Sequence, residues 1–87
     1  MDKQRLIASF QKNAVEVIKV NLNNWRGQLY IDVRAFFLDE EKAEHPTRKG
    51  FCLHIELLPE LIAALRKAEA ALDGEEPGEV KSMEDGR

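Results

Sequence analysis

A strict alternation over Leu29–Phe37 constrains the fold of this chain more than any other feature of its sequence. Every odd position in the segment is apolar, and the even positions mix aromatic with charged side chains. Successive side chains of a β-strand point to opposite faces, so the pattern predicts a strand with one buried face. This is the strongest strand prediction in the chain.

Shorter alternating segments predict further strands on both sides. Residues 15–22 alternate in two runs that are out of phase by one residue, which predicts a bulge or two short strands that meet at a bend. Residues 23–27 are typical of a turn in which Gly27 takes a positive φ, so these regions form a β-hairpin. A charged loop over Asp39–Pro46 then precedes another strand over Arg48–His54.

One amphipathic helix is predicted after the strands. Its apolar residues form a single leucine-rich stripe, made of Leu57, Leu58, Leu61, Ile62, Leu65, Ala68 and Leu72. The helix begins near Glu56–Pro59, because proline is tolerated only in a first turn, and it ends at Asp73–Gly74. We interpret residues 1–13 as a lead-in, either a short helix or loosely ordered chain, and residues 73–87 as a disordered acidic tail.

The size of the chain favours one small domain that associates with another copy. Eighty-seven residues give a single thin core, although a hydrophobic fraction of 44% is enough for folding. Cys52 is the only cysteine, which excludes a disulfide within one chain. Together with His45 and His54 it gives fewer ligands than a structural metal site usually has. Oligomerisation is therefore expected, with no metal and no cofactor.

Targeting features point to the inside of a cell. No run of about 20 apolar residues is present, so no membrane partner is expected. The first ten residues lack the apolar segment of a secretory signal, and a single free thiol is typical of a reducing compartment. The expected location is cytoplasmic and nucleoid-associated in a bacterium, or nuclear in a eukaryote.

The net charge of −3 is unevenly distributed. Residues 1–37 contain six basic and three acidic side chains, a net charge of +3. Residues 38–87 contain seven basic and thirteen acidic side chains, a net charge of −6. Because the local field governs the approach of an anion, the basic strands remain compatible with a nucleic acid.

The residues give little support to an enzyme. Cys52 and His54 are two apart on a predicted strand, so a thiol and an imidazole share a face, as nucleophilic catalysis needs. No third orienting group is evident, and a cysteine on an apolar strand is usually a small core residue. Gly27 and Gly50 are isolated and form no phosphate-binding loop. We therefore expect no enzymatic activity and no small-molecule substrate.

Binding of a nucleic acid fits the residues better. Proteins that hold single strands combine basic groups with exposed aromatic side chains that stack on bases. The only tryptophan, Trp25, lies beside Arg26 in the predicted turn. Structural explanations stay open, since Trp25 can fold back over the helix and Arg34 can pair with Asp32. The basic pair Arg48–Lys49 can simply be solvated.

Two motifs then carry a resemblance to a known family. The run Trp25–Phe37 (WRGQLYIDVRAFF) is similar to the aromatic-basic-glycine hairpin and following strand of the transcriptional coactivator positive cofactor 4 (p15) family. Pro46–Leu53 (PTRKGFCL) resembles the next strand of that family, and the likeness covers roughly residues 14–72. It implies an α+β fold, with a curved antiparallel sheet of about four strands followed by one C-terminal amphipathic helix, in a homodimer of the compact bacterial type.

The resemblance also implies a site for single-stranded DNA on the sheet. The stacking aromatic residues of the family match Trp25 and Phe37. Its backbone-contacting basic residues match Arg26, Arg34, Arg48 and Lys49, to which we add Lys19 from its polar position on the preceding strand.

Some positions depart from the family pattern. Gln28, Ala35, Glu16 and Ile18 stand where the family often has charged residues. Phe37 and Arg34 also differ in parity, so an unbroken strand sends them to opposite faces. Either Phe37 lies beyond the last regular pair or Phe36 stacks instead, and we choose Phe37.

The expected function is binding of single-stranded DNA with little sequence preference. The protein would act as a transcriptional coactivator or regulator, together with the transcription machinery, or in genome maintenance. One alternative is a dimeric protein-interaction module of the same fold that does not bind DNA. Another is an RNA-binding protein, because stacking and phosphate contacts do not by themselves distinguish the sugars.

Overall fold

Four antiparallel strands and one C-terminal helix make up the computed structural model, which describes residues 3–73. The elements are β1 (Lys3–Asn13), β2 (Glu16–Trp25), β3 (Gln28–Leu38), β4 (Glu44–His54), a 3₁₀ turn (Ile55–Leu57) and α1 (Leu58–Leu72). The strands lie in the order β1-β2-β3-β4, so each pairs with its sequence neighbour in one open sheet. This architecture confirms the predicted four-stranded α+β fold.

The N-terminal segment is a strand, so the expectation of a helical or loosely ordered lead-in over 1–13 is wrong for the described residues. Strand β1 pairs with β2 along most of its length. Its pairing slips at two places, leaving Ile7 and Lys12 as extra residues. Each extra residue reverses the alternation of side chains, so the apolar residues Leu6, Ile7 and Phe10 lose the two-residue period of a strand.

Strand β2 runs without interruption, so the expected bulge or bend within residues 15–22 is also wrong. Its pairing with β3 is continuous from Glu16 to Trp25. The change of phase arises because Val17 lies on the same side of the sheet as Lys19 and Asn21, where it pairs with Phe36, so its apolar side chain breaks the alternation. Val15 precedes the strand, and its carbonyl accepts a hydrogen bond from the Leu38 amide.

The loop before β4 is shorter than the sequence indicates. It covers residues 39–43, whereas Asp39–Pro46 was expected, and Asp39 holds it together. One carboxylate oxygen, Oδ1, accepts hydrogen bonds from the backbone amides of Glu41 (2.8 Å) and Ala43 (2.9 Å). Pro46 lies within β4, which is tolerated because β4 is an edge strand.

The predicted helix is confirmed at both ends. Pro59 lies in the first turn of α1, and the helix ends at Leu72. No residue of α1 is buried in the single chain. It is also too short and too polar to span a bilayer, as is the 3₁₀ turn. The predicted acidic tail lies, apart from Asp73, outside the described residues.

The core of one chain is small. Within the described residues only two apolar side chains, Ile31 and Ala35, are buried. Large apolar side chains remain exposed on β1, on one face of the sheet and along α1, including Phe10, Phe51 and Leu65. A single copy therefore leaves much of its apolar surface in water.

Candidate nucleic-acid interface

The register of the sheet separates its residues into two faces. Residues that pair across antiparallel strands point to the same side. The polar face carries Val17, Lys19, Asn21, Asn23, Trp25, Gln28, Tyr30, Asp32, Arg34, Phe36, Cys52 and His54. The apolar face carries Glu16, Ile18, Val20, Leu22, Leu29, Ile31, Val33, Ala35, Phe37, Phe51 and Leu53.

The hairpin between β2 and β3 exposes the only tryptophan. Trp25 pairs with Gln28, and the two residues between them have positive φ angles, 55° at Arg26 and 78° at Gly27. A two-residue hairpin of type I′ requires positive φ at both positions. The Arg26 guanidinium carbon lies 4.6 Å from the centre of the Trp25 ring, and Trp25 is 47% exposed. The indole is thus outside any core of the single chain.

Arg34 is bound within the sheet by Asp32. Its Nη2 and Nε donate to the two carboxylate oxygens of Asp32 at 2.8 and 3.2 Å. Its Nη1 donates to the backbone carbonyl of Thr47 at 3.0 Å. The hydrogen bonds to Asp32 raise the pKa of Arg34 above its usual value. The ion pair between these residues, one of the structural explanations that the sequence leaves open for Arg34, is therefore present, and Arg34 also links β3 to β4.

A distortion of β4 places Arg48 and Lys49. Arg34 pairs with Gly50 and Phe36 with Pro46, so three residues of β4, Thr47–Lys49, lie opposite one residue of β3. The Thr47 hydroxyl donates to the Ala35 carbonyl at 2.7 Å and accepts from the Lys49 amide at 3.1 Å. Both basic side chains are exposed on this free edge of the sheet.

Lys19 lies on the polar face between an aromatic ring and an acid. Its ammonium group is 4.9 Å from the centre of the Phe36 ring and forms an ion pair with Glu44 of β4. Lys19 also pairs in register with Arg34. The structure thus brings Lys19, Arg34 and Phe36 together, whereas Trp25 lies about 20 Å away along the strands.

Phe37 belongs to the opposite face. It pairs with Glu16 and with His45, so it does not lie beyond the last regular pair. Its ring is 44% exposed, whereas Phe36 is half-buried beside Lys19. The two candidate stacking residues, Trp25 and Phe37, therefore project from different faces of β2–β3.

Glu16, on the apolar face beside Phe37, is a functional candidate that sequence analysis identified only as a departure from the family pattern. Its carboxylate accepts from Asn13 Nδ2 at 2.9 Å and pairs with the ammonium groups of Lys12 at 3.2 Å and Lys49 at 3.1 Å. Hydrogen bonds from Asn13, Lys49 and Lys12 lower the pKa of Glu16 to about 2. Nothing in the sequence indicates this cluster, because Lys49 is 33 residues away.

Cys52 and His54 share the polar face without forming a reactive pair. One ring nitrogen of His54 lies 2.6 Å from Gln28 Oε1, and the other accepts from the Glu56 amide at 3.2 Å. Burial raises the pKa of the Cys52 thiol. Within residues 3–73, no group of three or more His, Cys, Asp or Glu side chains is placed to hold a metal ion.

Comparisons with known proteins place this architecture in a family. The family model described as Transcriptional Coactivator p15 (PC4) matches residues 12–64. A search of curated proteins gave no match.

Solved structures agree with the family model. Two crystal forms of a PC4 homologue from Burkholderia pseudomallei are similar to the chain with a TM-score of 0.71 and 34% identity over 77% of the chain. The similarity covers 90% of one homologue chain and 98% of the other. A bacteriophage T5 homologue of the eukaryotic transcription coactivator PC4, implicated in recombination-dependent DNA replication, shares the fold with a TM-score of 0.62 and 22% identity, over 83% of this chain and 81% of its own.

Proposed function

The chain belongs to the transcriptional coactivator p15 (PC4) family as a compact member of the bacterial type, and we propose on this basis that it binds single-stranded DNA with little sequence preference. The observation that carries the proposal is the exposed Trp25 with Arg26 beside its ring. A small domain with so few buried apolar side chains leaves its largest one in water at the tip of a hairpin. Ring and guanidinium together provide the stacking and the cationic contact that single strands require.

The proposed mechanism is passive binding rather than catalysis. Trp25 and Phe37 hold unstacked bases, each contributing about 1–3 kcal/mol. Phe37 is kept in preference to Phe36, although it lies within the regular pairing, because its ring is exposed and that of Phe36 is half-buried beside Lys19. Phosphates lie along Arg26, Arg34, Arg48 and Lys49, with Lys19 beside them. Neutralisation of about four phosphates gives a slope of log K against log salt near −3 for a single strand. Within residues 3–73, Arg26 and Arg48 form no salt bridge, so these two are the most available to a phosphate.

We also propose that the binding unit is a homodimer. The apolar stripe of α1 and the apolar face of the sheet are exposed in one copy, as at Ile62, Leu65 and Phe51. Small domains without disulfides or metals often reach useful stability by associating. Trp25 and Phe37 lie on different faces of one chain. In a dimer, Trp25 of one copy and Phe37 of the other could contact the same DNA strand.

The proposed setting is transcription or genome maintenance. A role beside the transcription machinery would follow from the coactivator family. The phage T5 relative is implicated in recombination-dependent DNA replication, which supports the second setting. In either case we place the protein in the bacterial cytoplasm, with the nucleoid.

Fluorescence of Trp25 tests the proposal directly, because it is the only tryptophan in the chain. Addition of oligo-dT at low salt should change the emission, and added salt should reverse the change. Duplex DNA and single-stranded RNA serve as competitors that rank the ligands. No response to oligo-dT at low salt would contradict the proposal and favour a protein-interaction module of the same fold. Stronger competition by RNA would favour an RNA-binding protein.

A further inference from the structure

The carboxylate of Glu16 forms ion pairs with two lysines, Lys12 and Lys49, whose ammonium groups could also contact a phosphate. Glu16, the first residue of β2, accepts from Asn13 Nδ2 and Lys12 Nζ with its Oε1 and from Lys49 Nζ with its Oε2, at 2.9, 3.2 and 3.1 Å. Lys12 and Asn13 come from the end of β1, and Lys49 comes from the distorted part of β4. Two strands, β1 and β4, thus direct donors at a single anionic group on β2.

The exposure of these side chains distinguishes the acid from its partners. The Glu16 side chain is 10% exposed, whereas the Lys12 and Lys49 side chains are 38% and 56% exposed. The carboxylate therefore lies beneath the lysines, and the lysines remain accessible from solvent. A phosphate oxygen and a carboxylate oxygen use the same kind of charge-assisted hydrogen bond from an ammonium group. Either acceptor can satisfy these lysines.

The cluster lies beside a residue of the proposed DNA site. Glu16 and Phe37 pair in register, so both side chains project from the apolar face. Phe37 is exposed there. A base that stacks on Phe37 would bring its phosphate near Lys49, which is already one of the proposed phosphate contacts.

We propose that the Glu16 carboxylate is an internal competitor for Lys12 and Lys49, and that it limits the affinity of this protein for single-stranded DNA. The inference rests on the proposed function. A phosphate must displace Glu16 from a lysine, or share that lysine with it, before the contact forms. A lysine that Glu16 retains neutralises no phosphate, so fewer counterions are released from the DNA when the strand binds.

The salt dependence of binding gives the expected size of the effect. Each phosphate contact adds about −0.7 to the slope of log K against log salt for a single strand. We take the affinities of the natural chain and the variant for DNA as equal at roughly 1 M salt. One lysine released from Glu16 should then raise the affinity of the variant about fivefold over that of the natural chain at roughly 0.1 M salt. Release of both lysines should give about 25-fold and a slope steeper by about 1.4.

The variant Glu16→Gln tests this inference by equilibrium binding of a labelled oligo-dT between low and moderate salt. Its matched control is Glu60→Gln, which makes the same charge change on the exposed face of α1. Glu16→Gln should bind more tightly, by at least about fivefold, and with a steeper salt slope, whereas Glu60→Gln should change affinity less than about twofold. Equal effects of the two variants, or weaker binding by Glu16→Gln, would overturn the inference.

Lys49→Gln provides a second test that does not depend on the stability of the first variant alone. This change should weaken binding less in the natural chain than in the Glu16→Gln background, because Glu16 competes with phosphate for Lys49 only in the natural chain. Combined with Glu16→Gln, it should remove about half of the increase in salt slope. A loss in the natural chain as large as in the double variant would contradict the competition. If the natural chain binds oligo-dT but Glu16→Gln and Glu60→Gln bind it with equal affinity, only the inference fails. If the natural chain does not bind oligo-dT, the proposed function fails as well.

Discussion

The guanidinium of Arg34 is hydrogen-bonded within the sheet, so this side chain stabilises the fold as well as being a proposed phosphate contact. The Arg34–Asp32 pair is bidentate, and the guanidinium also reaches the Thr47 carbonyl. Asp32 is buried on the polar face. A buried carboxylate that loses its partner costs much more than a surface ion pair contributes, because its charge is no longer compensated. Arg34 therefore stabilises the sheet in addition to any contact with DNA.

Arg34→Met should lower the free energy of unfolding by about 2–3 kcal/mol, because it leaves the Asp32 carboxylate buried and unpaired. Urea unfolding at one fixed protein concentration measures the change. The double variant Asp32→Asn/Arg34→Met should recover part of the loss, since the buried charge is then absent. An Arg34→Met protein as stable as the natural one would show that the pair is solvated and unimportant to the fold.

Glu16 should make stability fall in acid. Its pKa is lowered from a usual 4.5 to about 2 in the folded chain. The ionised group therefore stabilises the fold above pH 4.5, and this contribution is lost as the pH falls through the range down to about 2. Thermal unfolding from pH 6 to pH 2 should show the decline, and Glu16→Gln should flatten it. A profile that is unchanged by Glu16→Gln would contradict the role of this carboxylate.

At the scale of elements, regular patterns predicted the fold where pairing is regular. The alternation over Leu29–Phe37 and the apolar stripe after Pro59 correspond to β3 and α1. Strand β1 could not be predicted, because its extra residues Ile7 and Lys12 break the period that identifies a strand. The Trp25 turn was predicted from local residue types. The link between Glu16 and Lys49 was not, because it depends on how β4 is distorted.

Two glycines offer a matched test of that distortion. A Cβ at Gly50 would overlap the Val33 carbonyl oxygen and lie 2.7 Å from the Arg34 Cα, so Gly50→Ala forces the β3–β4 backbones apart. We expect a loss of about 2 kcal/mol or more in the free energy of unfolding. Gly27 has a φ of 78° but nothing within 4 Å of its added Cβ, so Gly27→Ala should cost only about 1 kcal/mol. Denaturant unfolding ranks the two variants, and the reverse order would contradict the close approach at Gly50.

At the scale of the whole molecule, one copy has a sheet and a helix that hardly cover each other. Only Ile31 and Ala35 are buried apolar residues within the part of the chain that is described. Leu65 is 59% exposed on α1. Exposed apolar surface of this kind is the observation that supports the proposed homodimer.

Leu65→Glu should weaken the proposed homodimer at least about tenfold, because burial of one leucine contributes roughly 1.5–3 kcal/mol. Lys67→Glu introduces the same side chain on α1 at a basic position and serves as the control. Sedimentation analysis over a range of concentrations measures the dissociation constant. A natural chain that stays monomeric at every concentration, or equal effects of the two variants, would contradict a dimer built through this stripe.

The open sheet has a consequence for aggregation. Strands β1 and β4 leave unpaired backbone groups along both edges, the kind of template from which fibrils grow. Each edge carries features that oppose such growth: two bulges and the charges of Arg5 and Lys12 on β1, and Pro46 with Arg48 and Lys49 on β4. Replacing Arg48 and Lys49 with neutral residues would therefore remove two of the proposed DNA contacts and, at the same time, part of the protection against polymerisation from edge to edge.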